Sequence, residues 1–227
     1  MIDKVCEFAT ARKGRRCGSL IAAAVALSFA LSSAPAVAAV AYDEGVSGDL
    51  SNNGLAPTLI SLGVGSNTIS GTSGRDQAGV VDRDYFTFTL GANEALTAIN
   101  VLQGTVPIGL SFIGVQTGNQ VTVSPTTTTA AGLLGWTHYD ASDVGTNILD
   151  DMGIAANGST GFTGPLGPGK YAFWVQEASP GTATYAFDFV VAQAPEPSTW
   201  LMMLAGFGLA GVALRRGRRL QQAEAAA

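Results

Sequence analysis

Few residues in this sequence could carry out acid–base catalysis, and only one of them is a histidine. His138 is the single histidine among 227 residues, so a histidine-based catalytic triad would have to use it. Neither a Gly-x-Ser-x-Gly elbow nor a His-Glu-x-x-His motif accompanies it, and these are the patterns that mark many serine hydrolases and zinc proteases. We therefore expect His138 to be a surface or hydrogen-bonded side chain, without a catalytic role.

Carboxylates are the more promising chemical groups. Between residues 42 and 194, thirteen Asp and Glu residues stand against three Arg and Lys residues, a net charge of −10. Such an acidic segment lacks the basic surface that nucleic acid requires, which excludes that class of partner. Ca²⁺, in contrast, is bound by six to eight oxygen atoms, often from carboxylates. Asp82 and Asp84 lie at the start of a predicted strand, where alternation would point both side chains to the same side. Together with Asp49 they are the candidate calcium ligands, and the alternative is that these acids are only solvated.

The same carboxylates allow a second chemistry. Glycoside hydrolases use two acids about 5–10 Å apart in a concave pocket, one on each side of the scissile bond. The competing function is therefore a small secreted hydrolase with paired carboxylates. We expect a protein that is not an enzyme, because acids on the loops of an acidic domain are usually solvated.

Aromatic side chains could bind sugars instead. Trp136, Tyr139 and Trp174 would stack on the faces of sugar rings if they were exposed. The commoner fate of such rings is to fill a hydrophobic core. Both interpretations stay open at this stage.

The elements that position these residues are predicted to be short strands. Residues 84–90, 170–176 and 183–191 show period-two patterning rich in aromatic and β-branched residues, which is typical of half-buried strands. A Ser-Pro-Gly sequence at 179–181 predicts a hairpin turn between the last two. With many Gly and Pro turns, the pattern favours an all-β fold, an antiparallel, jelly-roll-like β-sandwich over residues 42–192. Shorter strands are predicted at 58–62, 67–71, 96–102, 110–115 and 120–124, with a helical turn at 147–152.

The N-terminal segment has the features of a secretory signal peptide. Five basic residues in the first 18 precede an uncharged apolar run at 18–31 and two adjacent Ala-x-Ala sites at 36–41. We predict a signal peptide over residues 1–41, cut near 38–41 by signal peptidase. Cleavage there would remove both cysteines, Cys6 and Cys17.

The C-terminal segment predicts a single transmembrane helix at 199–214. These residues are uncharged and would form about 24 Å of helix, slightly short of the hydrocarbon core. Trp200 lies at one edge, and basic residues at the other edge set the orientation, with the β domain outside the cell. The flanking basic residues are Arg215, Arg216, Arg218 and Arg219.

The segment 193–227 as a whole resembles the PEP-CTERM sorting signal, because Pro195, Glu196 and Pro197 precede the apolar helix and the arginine cluster. The resemblance implies that an exosortase, a membrane-embedded cysteine protease, recognises these three residues. It also implies export by a Gram-negative bacterium that makes exopolysaccharide, with transient anchoring in the inner membrane. A simple membrane anchor behind a proline-rich linker is the alternative.

The middle of the chain is similar to bacterial pre-peptidase C-terminal domains. The similarity lies in the short patterns at 48–51, 82–86 and 168–171. It implies a small β-sandwich module of a secreted protein, and some of these modules bind calcium or matrix polymers. In such modules the N-terminal acids can supply calcium ligands, here Asp43, Glu44 and Asp49 with Asn52. The sequence thus predicts a non-catalytic envelope or extracellular-matrix protein that is associated with exopolysaccharide.

Overall fold

Nine strands and two short helices form the β-rich part of the chain. The computed structural model describes residues 38–193, 201–211 and 215. Most of the predicted signal peptide, the Pro195–Glu196–Pro197 motif, Trp200 and the arginines after Arg215 lie outside these residues. The strands are β1 (Ala39–Asp43), β2 (Thr58–Leu59), β3 (Gly65–Arg75), β4 (Val81–Leu90), β5 (Glu94–Val101), β6 (Ser111–Thr117), β7 (Gly135–Tyr139), β8 (Gly169–Gln176) and β9 (Gly181–Gln193); the helices are α1 (Glu44–Ser47) and α2 (Leu149–Met152), with a 3-10 turn at Ala141–Asp143.

The strands form one sheet, in the order β5-β9-β3-β4-β8-β6-β7, in which every neighbouring pair is antiparallel. Two further strands pair in parallel at its sides, β1 with β3 and β2 with β4. The fold is therefore mostly antiparallel β, as predicted. The sheet curls into a half-barrel, however, whereas a sandwich was expected to consist of two separate sheets.

The sheet bends near Gly74, where the pairing of β3 changes from β9 to β4. Gly74 pairs with Thr182 in β9 and also with Asp82 in β4, and β3 and β4 share only one further pair. A Cβ at position 74 would collide with the backbone carbonyl of Gly181. Only glycine therefore permits the close backbone approach that joins the two halves of the sheet.

The core fills the concave side of the half-barrel. Phe86 and Phe88 of β4 are fully buried, and each meets Phe189 of β9 edge to face, with ring centroids 5.7 and 5.8 Å apart. Phe173 of β8 stacks on both β4 rings. The apolar face of each strand packs into this aromatic core, as predicted. However, β4 and β8 are buried on both faces and not half-buried, because Tyr85 stacks on Trp174 on the other side of the sheet.

The shorter strands predicted at 58–62, 67–71, 96–102 and 110–115 correspond to β2, β3, β5 and β6. Residues 120–124 form no strand; the Val121 N–H donates to the Gly54 carbonyl and the Thr122 N–H to the Gln116 side chain, so a loop satisfies these groups. The helical turn predicted at 147–152 is present as α2.

Residues 201–211 of the predicted transmembrane segment 199–214 are helical. Within the part of the chain that the structure describes, no helix has both the length and the apolar character needed to cross a membrane.

Candidate functional site

Three carboxylates lie close together in the half-barrel. Glu44 begins α1, Asp49 follows that helix, and Asp84 lies in β4. One oxygen from each side chain lies within 4.8 Å of the others, an arrangement that could hold a metal ion. Asp49 is exposed, Glu44 is half-buried and Asp84 is buried, so the cluster runs from the surface into the core.

The parallel pairing of β1 with β3 positions Glu44. Asp43 pairs with Ser70, and its side chain accepts a hydrogen bond from the Gly45 N–H at 2.9 Å, which caps α1. The next side chain, Glu44, accepts the Thr72 N–H at 2.7 Å and the Leu50 N–H at 3.0 Å. Two backbone donors therefore hold this carboxylate in place.

Gly71 provides the space for this carboxylate. A Cβ at position 71 would lie 2.5 Å from the Tyr185 hydroxyl and 2.6 Å from Oε2 of Glu44. No real Cβ tolerates contacts this short, so any larger side chain would displace one of the two oxygens. The missing side chain creates a cradle into which both oxygen atoms project.

Asp84 occupies a position that the alternation of β4 assigns to the core. Its side chain has the same orientation as Phe86 and Phe88, and its exposed fraction is 0%. The Tyr185 hydroxyl and the Glu44 carboxylate lie near its oxygens and influence its pKa, but neither meets the geometry of a hydrogen bond with them. Burial, together with the negative charges of Glu44 and Asp82, raises the pKa of Asp84 to about 9.

Tyr185 adds a neutral oxygen to the same region. It pairs with Gly71 across β9 and β3, it is 2% exposed, and its hydroxyl has no partner among the described residues. Burial and the charges of Asp84 and Glu44 raise the pKa of Tyr185 well above the usual value for tyrosine. A buried carboxylate and a buried hydroxyl without partners are costly, and a bound cation would satisfy both.

Two of the three predicted calcium ligands, Asp49 and Asp84, belong to this group of carboxylates, and the third, Asp82, does not. Asp82 lies outside the group of three; it accepts a hydrogen bond from the Asn52 amide at 3.1 Å. Burial and the charges of Asp49 and Glu44 raise its pKa. Glu44 is instead the third carboxylate of the group. In the sequence, only its position among the N-terminal acids indicated that it could be a ligand.

The sugar-binding aromatics predicted from the sequence divide into two groups. Tyr139 is buried in the core against Phe187, with ring centroids 5.1 Å apart, so it cannot face a ligand. Trp136 and Trp174 instead line a cleft of about 270 Å³ on the convex side of the sheet. His138 is at the rim of this cleft, and its Nδ1 lies 3.2 Å from the Ser111 carbonyl oxygen, which confirms an exposed, hydrogen-bonded histidine.

Comparison with known proteins identifies the C-terminal segment. Residues 193–219 match the PEP-CTERM protein-sorting motif, which indicates an exported protein that an exosortase sorts and that is anchored at the membrane before processing. Neither the curated proteins nor the solved structures contain a match to the chain. The similarity of the middle segment to pre-peptidase C-terminal domains thus stays a prediction.

Proposed function

We propose that this chain is a non-catalytic protein of the cell envelope or extracellular matrix, and that its half-barrel binds Ca²⁺ and associates with exopolysaccharide. The observation that carries the proposal is the match of residues 193–219 to the sorting motif. Signal peptidase cuts near residues 38–41 during export, and such a cut leaves the Tyr42–Ile69 and Asp43–Ser70 pairs of β1 with β3 in the mature chain. The predicted helix at 199–214 then holds the protein in the inner membrane of a Gram-negative cell until the exosortase acts.

Processing depends on Pro195, Glu196 and Pro197 in this account. Replacing all three by alanine in the full chain should leave the protein uncleaved and in the membrane fraction of the producing cells. The matched control is Thr160→Val, an exposed position of the half-barrel, which should be processed normally. Normal processing of the triple-alanine chain would refute recognition through this motif.

Three features support Ca²⁺ as the ion at the carboxylate cluster. Glu44, Asp49, Asp84 and Tyr185 offer only oxygen atoms, the ligands that hard cations such as Ca²⁺ prefer over soft or borderline ones. The bound ion would favour the ionised form of Asp84 and supply a partner for the Tyr185 hydroxyl. Asp49, which is exposed, would give the ion a ligand at the solvent side.

Calcium binding is measurable directly by titrating the full chain against a calcium-sensitive competing chelator. We expect one site in the native chain and none in Glu44→Gln, because the amide removes a charge and one ligand oxygen. The exposed carboxylate of Asp151, in α2, is the matched control, and Asp151→Asn should bind Ca²⁺ as the native chain does. Equal binding by Glu44→Gln and the native chain would refute the site.

A binding role fits the cluster better than hydrolysis does. A glycosidase needs both carboxylates on the wall of a cavity that admits a sugar ring. Asp84 is fully buried, and three surface cavities formed by the described residues are lined without Asp or Glu. These facts favour a non-catalytic protein over the alternative of a small secreted hydrolase.

A further inference from the structure

A continuous group of aromatic rings covers the convex face of β6, β7 and β8. Gly114 of β6 pairs with Trp136 on one side and with Trp174 on the other. A Cβ at Gly114 would lie 2.8 Å from Cζ of Phe112, so the glycine leaves room for the phenyl ring. Phe112 consequently contacts both indoles, with ring centroids 6.0 Å from Trp136 and 4.8 Å from Trp174.

These rings are fixed in orientation. The indole N–H of Trp136 donates to the Ala156 carbonyl at 3.0 Å, and His138 packs perpendicular to the same ring at 5.3 Å. Trp174 is 5% exposed, and its indole N–H has no acceptor among the described residues. Trp136 and Phe112 stay half-exposed toward the cleft. A rigid, partly exposed aromatic platform binds a ligand at a low cost in side-chain entropy.

The opposite wall of the cleft is polar. It consists of the exposed segment Thr127–Thr129 together with Asn157. The Asn157 amide donates to the Thr128 carbonyl at 3.0 Å, which ties the two parts of this wall together. The threonine hydroxyls can both donate and accept hydrogen bonds.

Charge is missing from the cleft although the segment around it is strongly acidic. Its described lining residues include no Asp, Glu, Lys or Arg, whereas residues 42–194 have a net charge of −10. The cleft volume, about 270 Å³, is just below the range of roughly 300–1,000 Å³ that is usual for small-molecule sites. An uncharged cleft of this size suits a small neutral ligand.

We propose that this cleft binds a neutral sugar unit of an extracellular polysaccharide. The C–H face of a sugar ring packs on Trp136 and Phe112, and its hydroxyl groups bond to Thr127–Thr129 and Asn157. The described lining residues include no Lys or Arg to neutralise a carboxylate or a sulfate group, which disfavours uronic acids and sulfated sugars. The inference rests on the proposed association with exopolysaccharide and names the site and the sugar class.

The test is calorimetric titration of the full chain with neutral oligosaccharides. The probes are cellohexaose, maltohexaose, laminarihexaose and oligosaccharides hydrolysed from the producing cells' own exopolysaccharide, with oligogalacturonate as the charged comparison. We expect at least one neutral probe to bind. Trp136→Ala should weaken that binding about tenfold or more, which corresponds to the loss of one stacking contact.

A second variant keeps the test valid if Trp136→Ala unfolds. Thr128 is exposed, so Thr128→Arg should fold normally while its long side chain blocks the cleft and weakens binding by a similar factor. Thr160→Val, at an exposed position outside the cleft, should bind as the native chain does.

Three results would overturn the proposal: no neutral probe binds, the charged probe binds most tightly, or both cleft variants bind as well as the native chain. The outcome is separable from that of the proposed function. A chain that is cleaved at its sorting motif and binds Ca²⁺, but binds no neutral sugar, overturns the cleft alone. A chain whose sugar binding survives both variants associates with polysaccharide through another surface.

Discussion

Replacing Asp84 by asparagine should make the calcium-free protein more stable and at the same time abolish its response to calcium. The carboxyl of Asp84 is fully buried without a hydrogen-bond partner among the described residues, and its pKa is raised from 3.8 to about 9. An asparagine side chain at this position would have nearly the same shape but no charge to bury. The substitution therefore separates the electrostatic cost of the site from its packing.

The sign of the effect follows from proton linkage. Between pH 4 and pH 9 the folded chain keeps a proton on Asp84 that the unfolded chain releases, so the free energy of unfolding falls as pH rises. At pH 7 this cost is on the order of 4 kcal/mol, since each pKa unit corresponds to about 1.4 kcal/mol. Asp84→Asn removes the cost, which should raise the calcium-free melting temperature by roughly 10 °C.

The assay is thermal and urea denaturation of the full chain between pH 4 and pH 8, with excess Ca²⁺ and with chelator. In chelator, the native chain and Asp84→Asn should have similar stability near pH 4 and diverge as pH rises. In Ca²⁺ at 100 times the dissociation constant, the native chain should gain about 2.7 kcal/mol and the variant nothing. Asp151→Asn, which alters an exposed carboxylate, should behave as the native chain throughout.

Two results would refute this reasoning. If the native chain and Asp84→Asn had the same stability at every pH in chelator, the buried carboxyl would not carry the expected cost. If the variant kept the full calcium response, the ion would bind elsewhere.

Three further predictions concern stability alone or stability with calcium. Gly71→Ala would clash with Glu44 and Tyr185, so we expect about 1–3 kcal/mol of destabilisation in chelator and no shift of the melting midpoint when Ca²⁺ is added. A variant that melts at the same temperature as the native chain in chelator would contradict this. Glu177→Gln should cost about 1–3 kcal/mol in urea titrations at pH 7. Burial raises the pKa of Glu177, but hydrogen bonds from Ser179, Ser111 and Gly109 outweigh burial and lower the pKa overall. The difference in unfolding free energy between the native chain and Glu177→Gln should therefore shrink as pH falls below about 4. A difference that stays constant with pH would refute this. Phe88→Ala should cost about 3–5 kcal/mol, against less than about 0.5 kcal/mol for Leu59→Ala, which is 74% exposed; similar costs would disprove the core assignment.

The strands that form the core could be predicted because their signal is local. Phe86 and Phe88 alternate with Thr87 and Thr89 within β4, and large apolar side chains likewise occupy every second position of β8 and β9. The curl of the sheet could not be predicted, because it depends on Gly74 meeting β9 and β4 at once. The sequence around a glycine in a strand does not indicate whether the sheet bends there or whether the position merely lacks a side chain.

The candidate site was predictable only in part for the same reason. Alternation along β4 pointed to Asp82 and Asp84 together, but the Asn52 amide engages Asp82 from a distant loop. Glu44 reaches the cluster because β1 pairs in parallel with β3, a long-range contact without a signature in the spacing of the acids. The cradle at Gly71 likewise exists only in the folded sheet.

The central claim is that the chain is exported and processed at its C-terminal sorting motif. Mass spectrometry of the mature protein from the cells that produce it tests this claim most directly. We expect an N-terminus between residues 39 and 42 and a C-terminus that no longer includes Leu220–Ala227. A mature protein that still ends in Leu220–Ala227 would contradict it.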